Sequence, residues 1–183
     1  MTFKEAKERT LKLLDEYVPS LKSSDDEYIE EKLPMAIDMA QKELSKFKRP
    51  IKIVELTKLE KDEGGYILPS DFVALRRIWR GASAFKMGFC LSDRFILNSS
   101  INPDGIRLEY FAFPSTVDFG TPEEYTFTLP LDLQEAIPFY AAMVIGSSDL
   151  TIDISQLQRM YNAKLMGIDT TQSNSIQIVN ARI

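Results

Sequence analysis

An uninterrupted apolar run, AIPFYAAMVI at residues 136–145, constrains the fold of this chain more than any other feature. A helix that is apolar on every face must be surrounded by other elements. Ten residues are too few to cross a bilayer as a helix, so the run is not a membrane anchor. The sequence therefore predicts a central helix, in the core or at an interface, around which the rest of the chain packs.

The motif Leu-Pro-x-Asp follows a strand-like run at residues 68–71 and again at residues 129–132. A residue before proline is pushed into the extended region, which stops the strand at the leucine. Proline tolerates a first helical turn, and aspartate accepts hydrogen bonds from the free amides there. Each motif therefore predicts that a strand ends and that a helix or turn begins, with Asp71 and Asp132 as caps.

Helices are predicted on both sides of a β region. Thr2 and Glu5 have the spacing of a capping box at the start of one helix, and residues 24–27 form a second box before another. Residues 51–129 have β character, with a half-buried antiparallel strand at residues 106–112. The central helix follows, and a last amphipathic helix begins near Asp153.

This layout predicts an α+β fold that is mainly α. We expect a helical bundle of about four helices, with a small antiparallel β region inserted between helices 2 and 3. Residues 1–168 are expected to form a single domain. Residues 169–183 are expected to form a polar linker and an extended C-terminal arm.

Composition argues against most chemistries. The 183-residue chain has no histidine, one cysteine and a formal net charge of -5. The commonest general base and zinc ligand are therefore missing, and no phosphate-binding or nucleophile motif occurs. We expect no enzyme activity, no catalytic residue, no cofactor and no metal. The N-terminus predicts no signal peptide and no membrane span, hence a protein made in the cytoplasm.

A first candidate interface is the strand over residues 76–80. Arg76, Arg77, Trp79 and Arg80 combine guanidinium groups with an indole, as protein interfaces often do. The same residues could stack on bases, although the acidic chain argues against nucleic acid. An edge strand with Ile78 inside and the arginines exposed explains the pattern equally well.

Two further sets of apolar residues are candidates for interfaces. Phe139 and Met143 lie in the central helix, which could also face a neighbouring subunit. The arm contains IQIVNARI, whose Ile176, Ile178, Val179 and Ile183 are costly to leave in water. Strand addition to another chain's sheet, or docking in another subunit's groove, would bury them. A disordered end is the alternative.

Four stretches in this order resemble the phage head–tail connector proteins, also called adaptor or head-completion proteins. They are the N-terminal helix over residues 25–47, YILPSDFVALRRIW, IRLEYFAFPSTV, and LPLDLQEAIPFYAAMVIG followed by QLQRMYNAKLMG. The resemblance covers about residues 25–167 and none of it is a catalytic signature.

The resemblance implies a structural virion protein that is assembled in the host cytoplasm. Such a protein would bind below the portal ring, form a homo-oligomeric ring around the DNA channel and provide the attachment surface for the tail or stopper. Its partners would be the portal protein, a tail or stopper protein and itself. DNA would pass without sequence-specific binding, and no membrane is implied. The alternative is an intracellular, non-enzymatic protein-binding module that docks through the strand over residues 76–80 and the C-terminal arm.

Overall fold

The computed structural model describes residues 1–18, 26–147 and 153–168. Contacts within the chain group these residues into two compact units. The helical unit contains residues 1–49 and the described residues from 114 to 168, and the β unit contains residues 50–113. The predicted boundary between a domain over residues 1–168 and an arm over residues 169–183 stays a prediction, because residues 169–183 lie outside the described part.

The helical unit is built around the apolar run. Its helices are α1 (Phe3–Tyr17), α2 (Asp26–Leu44), the short α3 (Leu131–Gln134), α4 (Ile137–Gly146) and α5 (Ser155–Met166). Helix α4 packs against α1, α2 and α5. Ala141, Ala142 and Ile145 of α4 are buried. The prediction of a central core helix is confirmed.

Helix α1 begins as the sequence predicts. The Thr2 hydroxyl accepts a hydrogen bond from the Glu5 amide at 3.2 Å, and the Glu5 carboxylate accepts one from the Thr2 amide at 2.9 Å. This reciprocal pair satisfies two amides that have no partner within the helix. The predicted second capping box, at residues 24–27, begins outside the described residues.

Buried polar side chains hold the segment that returns the chain from the β unit to α3. On α2, the Asp38 carboxylate accepts from the Val117 amide at 2.9 Å, and Gln41 Nε2 donates to the Ser115 carbonyl at 2.6 Å. On α3, Gln134 Nε2 donates to the carbonyls of residues 127 and 129. These bonds satisfy the backbone of a segment that has no regular structure.

The β unit consists of two four-stranded antiparallel sheets. Its strands are β1 (Ile51–Glu55), β2 (Lys61–Asp62), β3 (Gly65–Ile67), β4 (Phe72–Arg80), β5 (Ser83–Ala84), β6 (Phe89–Leu91), β7 (Arg94–Ile96) and β8 (Ile106–Ala112). The strand orders are β1-β8-β4-β5 and β2-β3-β7-β6. Leu56, Ile78, Phe95 and Leu108 lie in the hydrophobic cluster of this unit.

The predicted fold class is wrong in its proportions. The described chain has four longer helices and eight strands in two antiparallel sheets, with 40% helix and 23% strand, so it is not a mainly helical bundle with a small β insert. Strands of two or three residues are too short for a period of two to be visible in the sequence. Their pairing, and the separate hydrophobic cluster that they bury, depend on contacts between distant residues.

The two Leu-Pro-x-Asp motifs behave differently. At residues 129–132, helix α3 begins as predicted with Pro130 as its N-cap, but no side chain caps it. The Asp132 carboxylate lies within the first turn, where it accepts from the Leu133 amide at 3.1 Å and pairs with Lys48 at 2.6 Å. At residues 68–71, the chain makes a turn that leads into β4, with the Phe72 amide bonded to the carbonyl of residue 69, and no helix begins. The carboxylate of Asp71 does not cap a helix, because it is bonded to the sheet.

Candidate protein interface

Strand β4 carries the arginine and tryptophan residues that the sequence singled out. Ile78 points into the core of the β unit and pairs with Leu108 on β8. The register between β4 and β8 shifts between Leu75 and Arg77, which marks a bulge. A bulge inserts an extra residue and re-aims its neighbours, so strict alternation does not hold here. Arg76 and Trp79 consequently reach the same partner on β8.

That partner is Glu109, which the sequence analysis did not identify. Glu109 is only 6% exposed. One carboxylate oxygen accepts from the Trp79 indole N–H at 2.7 Å, and the other accepts from the Arg76 guanidinium. A buried carboxylate is tolerated when it is paired and hydrogen-bonded in this way. The sequence predicted that β8 is half-buried with its polar residues outward. This is wrong, because every residue of β8 except Arg107 is buried.

A cation–π contact completes the arrangement. The Arg77 guanidinium lies over the Trp79 ring, 4.9 Å from its centroid, and Arg77 is exposed. Glu109 therefore fixes the edge of the indole while Arg77 covers its face. Such a contact contributes about 0.5–1 kcal/mol at an exposed site. We call Arg76, Arg77, Trp79 and Glu109 the Arg–Trp cluster.

Exposed isoleucines on β1 flank the Arg–Trp cluster. Ile53 pairs with Glu109 in the register of β1 with β8, and Arg77 pairs with Glu109 from the other side. Side chains of directly opposite residues share a face of the sheet. Ile51, two residues before Ile53, is on the same face. Ile51 is 41% exposed and Ile53 is 59% exposed. We call this side of the sheet the outer face.

The remaining residues predicted for interfaces lie elsewhere. Arg80 is exposed at the end of β4, with its guanidinium 5.6 Å from the centroid of Phe85. In the helical unit, Phe139 and Met143 of α4 are half-buried and pack against the core. The arm residues Ile176, Ile178, Val179 and Ile183 lie outside the described residues.

Two titratable groups of the β unit, the Cys90 thiol and the Tyr110 phenol, have raised pKa values. Burial raises the pKa of the Cys90 thiol to about 11. Burial, followed by the charge of Asp71 and its hydrogen bond at 3.1 Å, raises the pKa of Tyr110 to about 12. Lys52 Nζ donates to the other oxygen of Asp71 at 2.6 Å. A protonated thiol and phenol are weak nucleophiles, so these groups have the character of structural contacts.

Within the part of the chain that the structure describes, no three histidine, cysteine or acidic residues converge as a metal site would require. None of the described helices combines the length and apolar character needed to cross a bilayer.

No family model matches this sequence, and the search of curated proteins finds no similar one.

Proposed function

We propose that the protein is a structural virion component of the head–tail connector kind. It binds below a portal ring, forms a homo-oligomeric ring around the DNA channel and provides the attachment surface for the tail or stopper. The resemblance of four consecutive stretches, over about residues 25–167, supports this proposal. The partners are the portal protein, the tail or stopper protein and further copies of the same chain.

The observation that carries the proposal is the pre-organised outer face of the β1-β8-β4-β5 sheet. Trp79 is fixed from one side by Glu109 and covered by Arg77, with exposed Ile51 and Ile53 beside it. Side chains that are already ordered lose less entropy on binding. Tryptophan and arginine are also the residues most enriched among those that dominate binding energy. This face is suited to docking a protein.

Charge supports the proposed role as a conduit. A formal net charge of -5 disfavours the phosphate neutralisation on which nucleic-acid binding depends. Carboxylates around a channel repel DNA and let it pass without adhering. Heterologous contacts between identical chains close into rings when their rotation allows it. A connector of this kind needs no catalytic group.

Electron microscopy of the full-length chain mixed with the portal protein from the same genome tests the proposal. We expect rings stacked on portal rings. Replacing Trp79 by alanine should weaken portal or tail attachment at least tenfold, the loss typical of a central interface tryptophan. Lys58→Ala is the matched control, because Lys58 is an exposed residue of the same unit and pairs with the exposed Glu55. Absence of any complex with portal, tail or stopper proteins contradicts the proposal.

The alternative is a non-enzymatic protein-binding module inside the cell. One observation favours it. Arg77 and Arg80 form no ion pair with any described carboxylate, so their charges are available to an acidic partner. The same mixing experiment separates the two functions. A module of this kind binds an acidic protein through Trp79 and Arg77 and fails to bind the portal.

A further inference from the structure

Strand β1 is the longest edge strand among the described residues. It lies at one end of the order β1-β8-β4-β5 and pairs with β8 over five residues in an unbroken antiparallel register. No described strand pairs with its other side. An edge strand leaves backbone donors and acceptors that a further strand can use. The opposite edge, β5, has two residues, and the edge strand β6 of the second sheet has three.

Proline and a bulge, two of the usual protections of an edge strand, are absent from β1. Natural edge strands are shielded by proline, by a bulge or by a lysine that projects into solvent. The sequence IKIVE contains no proline, and its register with β8 shows no bulge. Its two charged residues pair within the chain, Lys52 with Asp71 at 2.6 Å and Glu55 with Lys58 at 3.0 Å. Ile51 and Ile53 are exposed instead. Such a strand is suited to accept another strand.

The chain contains a segment that matches this edge. Residues 176–183, IQIVNARI, alternate so that Ile176 and Ile178 fall on one face of an extended strand and Val179 and Ile183 on the other. Added to β1, one set would extend the outer face beside Ile53, and the other would extend the opposite face. Eight residues are sufficient to pair with all five of β1.

We propose that residues 176–183 of one copy add as a strand to β1 of a second copy. The inference rests on the proposed function, since it supplies the contact between neighbouring subunits of the ring. Each copy then has one donor segment and one acceptor edge, which are different surfaces. Repeated head-to-tail contacts of this type use every donor and acceptor only when the copies close into a ring. Backbone hydrogen bonds supply affinity, and the alternate apolar side chains supply specificity.

Sedimentation velocity of full-length chains tests the proposal. We expect the unmodified protein to associate in a concentration-dependent way. Ile53→Asp in the acceptor edge and Ile178→Asp in the donor segment should each weaken association at least tenfold. Leu91→Asp is the matched control, because Leu91 is 63% exposed on β6, the edge strand of the other sheet. It should associate like the unmodified protein. Trp79 fluorescence checks that each variant is folded.

Mixing the two defective variants gives the sharpest outcome. The Ile53→Asp chain keeps its donor segment and the Ile178→Asp chain keeps its acceptor edge, so the mixture should form heterodimers and nothing larger. A monomeric unmodified chain, or association that survives both substitutions, overturns the proposal. The proposal is also overturned if Leu91→Asp loses association while Ile53→Asp and Ile178→Asp keep it.

Cross-linking distinguishes a second copy from the same chain. In a Cys90→Ser background, a chain with Ile53→Cys and Ile178→Cys should form disulfides between chains, seen as dimers and larger species on non-reducing gels. A disulfide within one chain overturns the proposal. Association between copies without portal binding would contradict the connector function alone, and portal binding without β1-dependent association would contradict this inference alone.

Discussion

Replacing Glu109 by alanine tests whether the Arg–Trp cluster is organised by its buried carboxylate. Glu109 is 6% exposed and bonds to the Trp79 indole at 2.7 Å. A hydrogen bond to a charged group contributes about 1.5–3 kcal/mol. The Arg76 side chain is 36% exposed, so its ion pair is screened by solvent and contributes only about 0.5 kcal/mol.

The expected loss in the free energy of unfolding is about 3 kcal/mol, since the buried methylenes add about 1 kcal/mol and relief of carboxylate desolvation offsets part of it. Glu109→Gln keeps an acceptor for the Trp79 indole and loses only the charge. We expect this variant to lose about 1 kcal/mol. The difference between the two variants therefore measures the hydrogen bond to Trp79 together with the packing of the two methylenes, whereas the loss in Glu109→Gln measures the charge that pairs with Arg76.

Urea denaturation followed by fluorescence measures these losses. The chain has one tryptophan, Trp79, so the fluorescence transition reports the β unit that contains it. Glu55→Ala is the matched control. Glu55 is on β1, its side chain is 50% exposed, and it pairs with Lys58. An exposed pair of this kind contributes less than about 0.5 kcal/mol. If Glu109→Ala unfolds at the same urea concentration as Glu55→Ala, Glu109 does not organise the cluster.

Three other predictions concern packing at Gly88, the reactivity of the Cys90 thiol and the hydrogen bond of Asp38 to the segment before α3. A Cβ on Gly88 would lie 2.4 Å from the buried Phe95 ring, so Gly88→Ala should lower the free energy of unfolding by about 3 kcal/mol in urea denaturation. Gly81→Ala is the control: its Cβ would enter open space, but φ is +60°, so the free energy of unfolding should fall by about 1 kcal/mol. Equal losses in Gly88→Ala and Gly81→Ala would refute the packing argument. Because burial raises the Cys90 pKa to about 11, alkylation at pH 8 should be about 100-fold slower in the native than in the urea-unfolded chain, and equal rates would refute burial of the thiol. Asp38→Ala removes the acceptor for the amide of residue 117 and should lower the free energy of unfolding by about 2 kcal/mol in urea denaturation followed by circular dichroism. Asp38→Asn keeps an acceptor and should lose less. If Asp38→Ala is as stable as the unmodified protein, this bond does not hold the segment.

The sequence alone determined the features that depend on neighbouring residues. The capping box of α1 needs only Thr2 and Glu5, three positions apart, and the structure contains both of its hydrogen bonds. The central helix follows from a run that is apolar on every face, whatever its partners are. The position of strand β8 was also predicted from seven consecutive residues, although its half-buried pattern was wrong, because every residue of β8 except Arg107 is buried.

Tertiary structure decided which of these residues come together and how much of the described chain is β. Glu109 is separated from Trp79 by 30 positions and from Arg76 by 33, and the pairing of β4 with β8 brings all three together. The sequence predicts Asp71 as a cap, but its carboxylate accepts hydrogen bonds from Lys52 on β1 and Tyr110 on β8. Sheet order, and hence the edge position of β1, is equally non-local. Local patterns encode backbone preferences and burial periodicity, whereas the partners of a polar side chain are set by which distant strands pair.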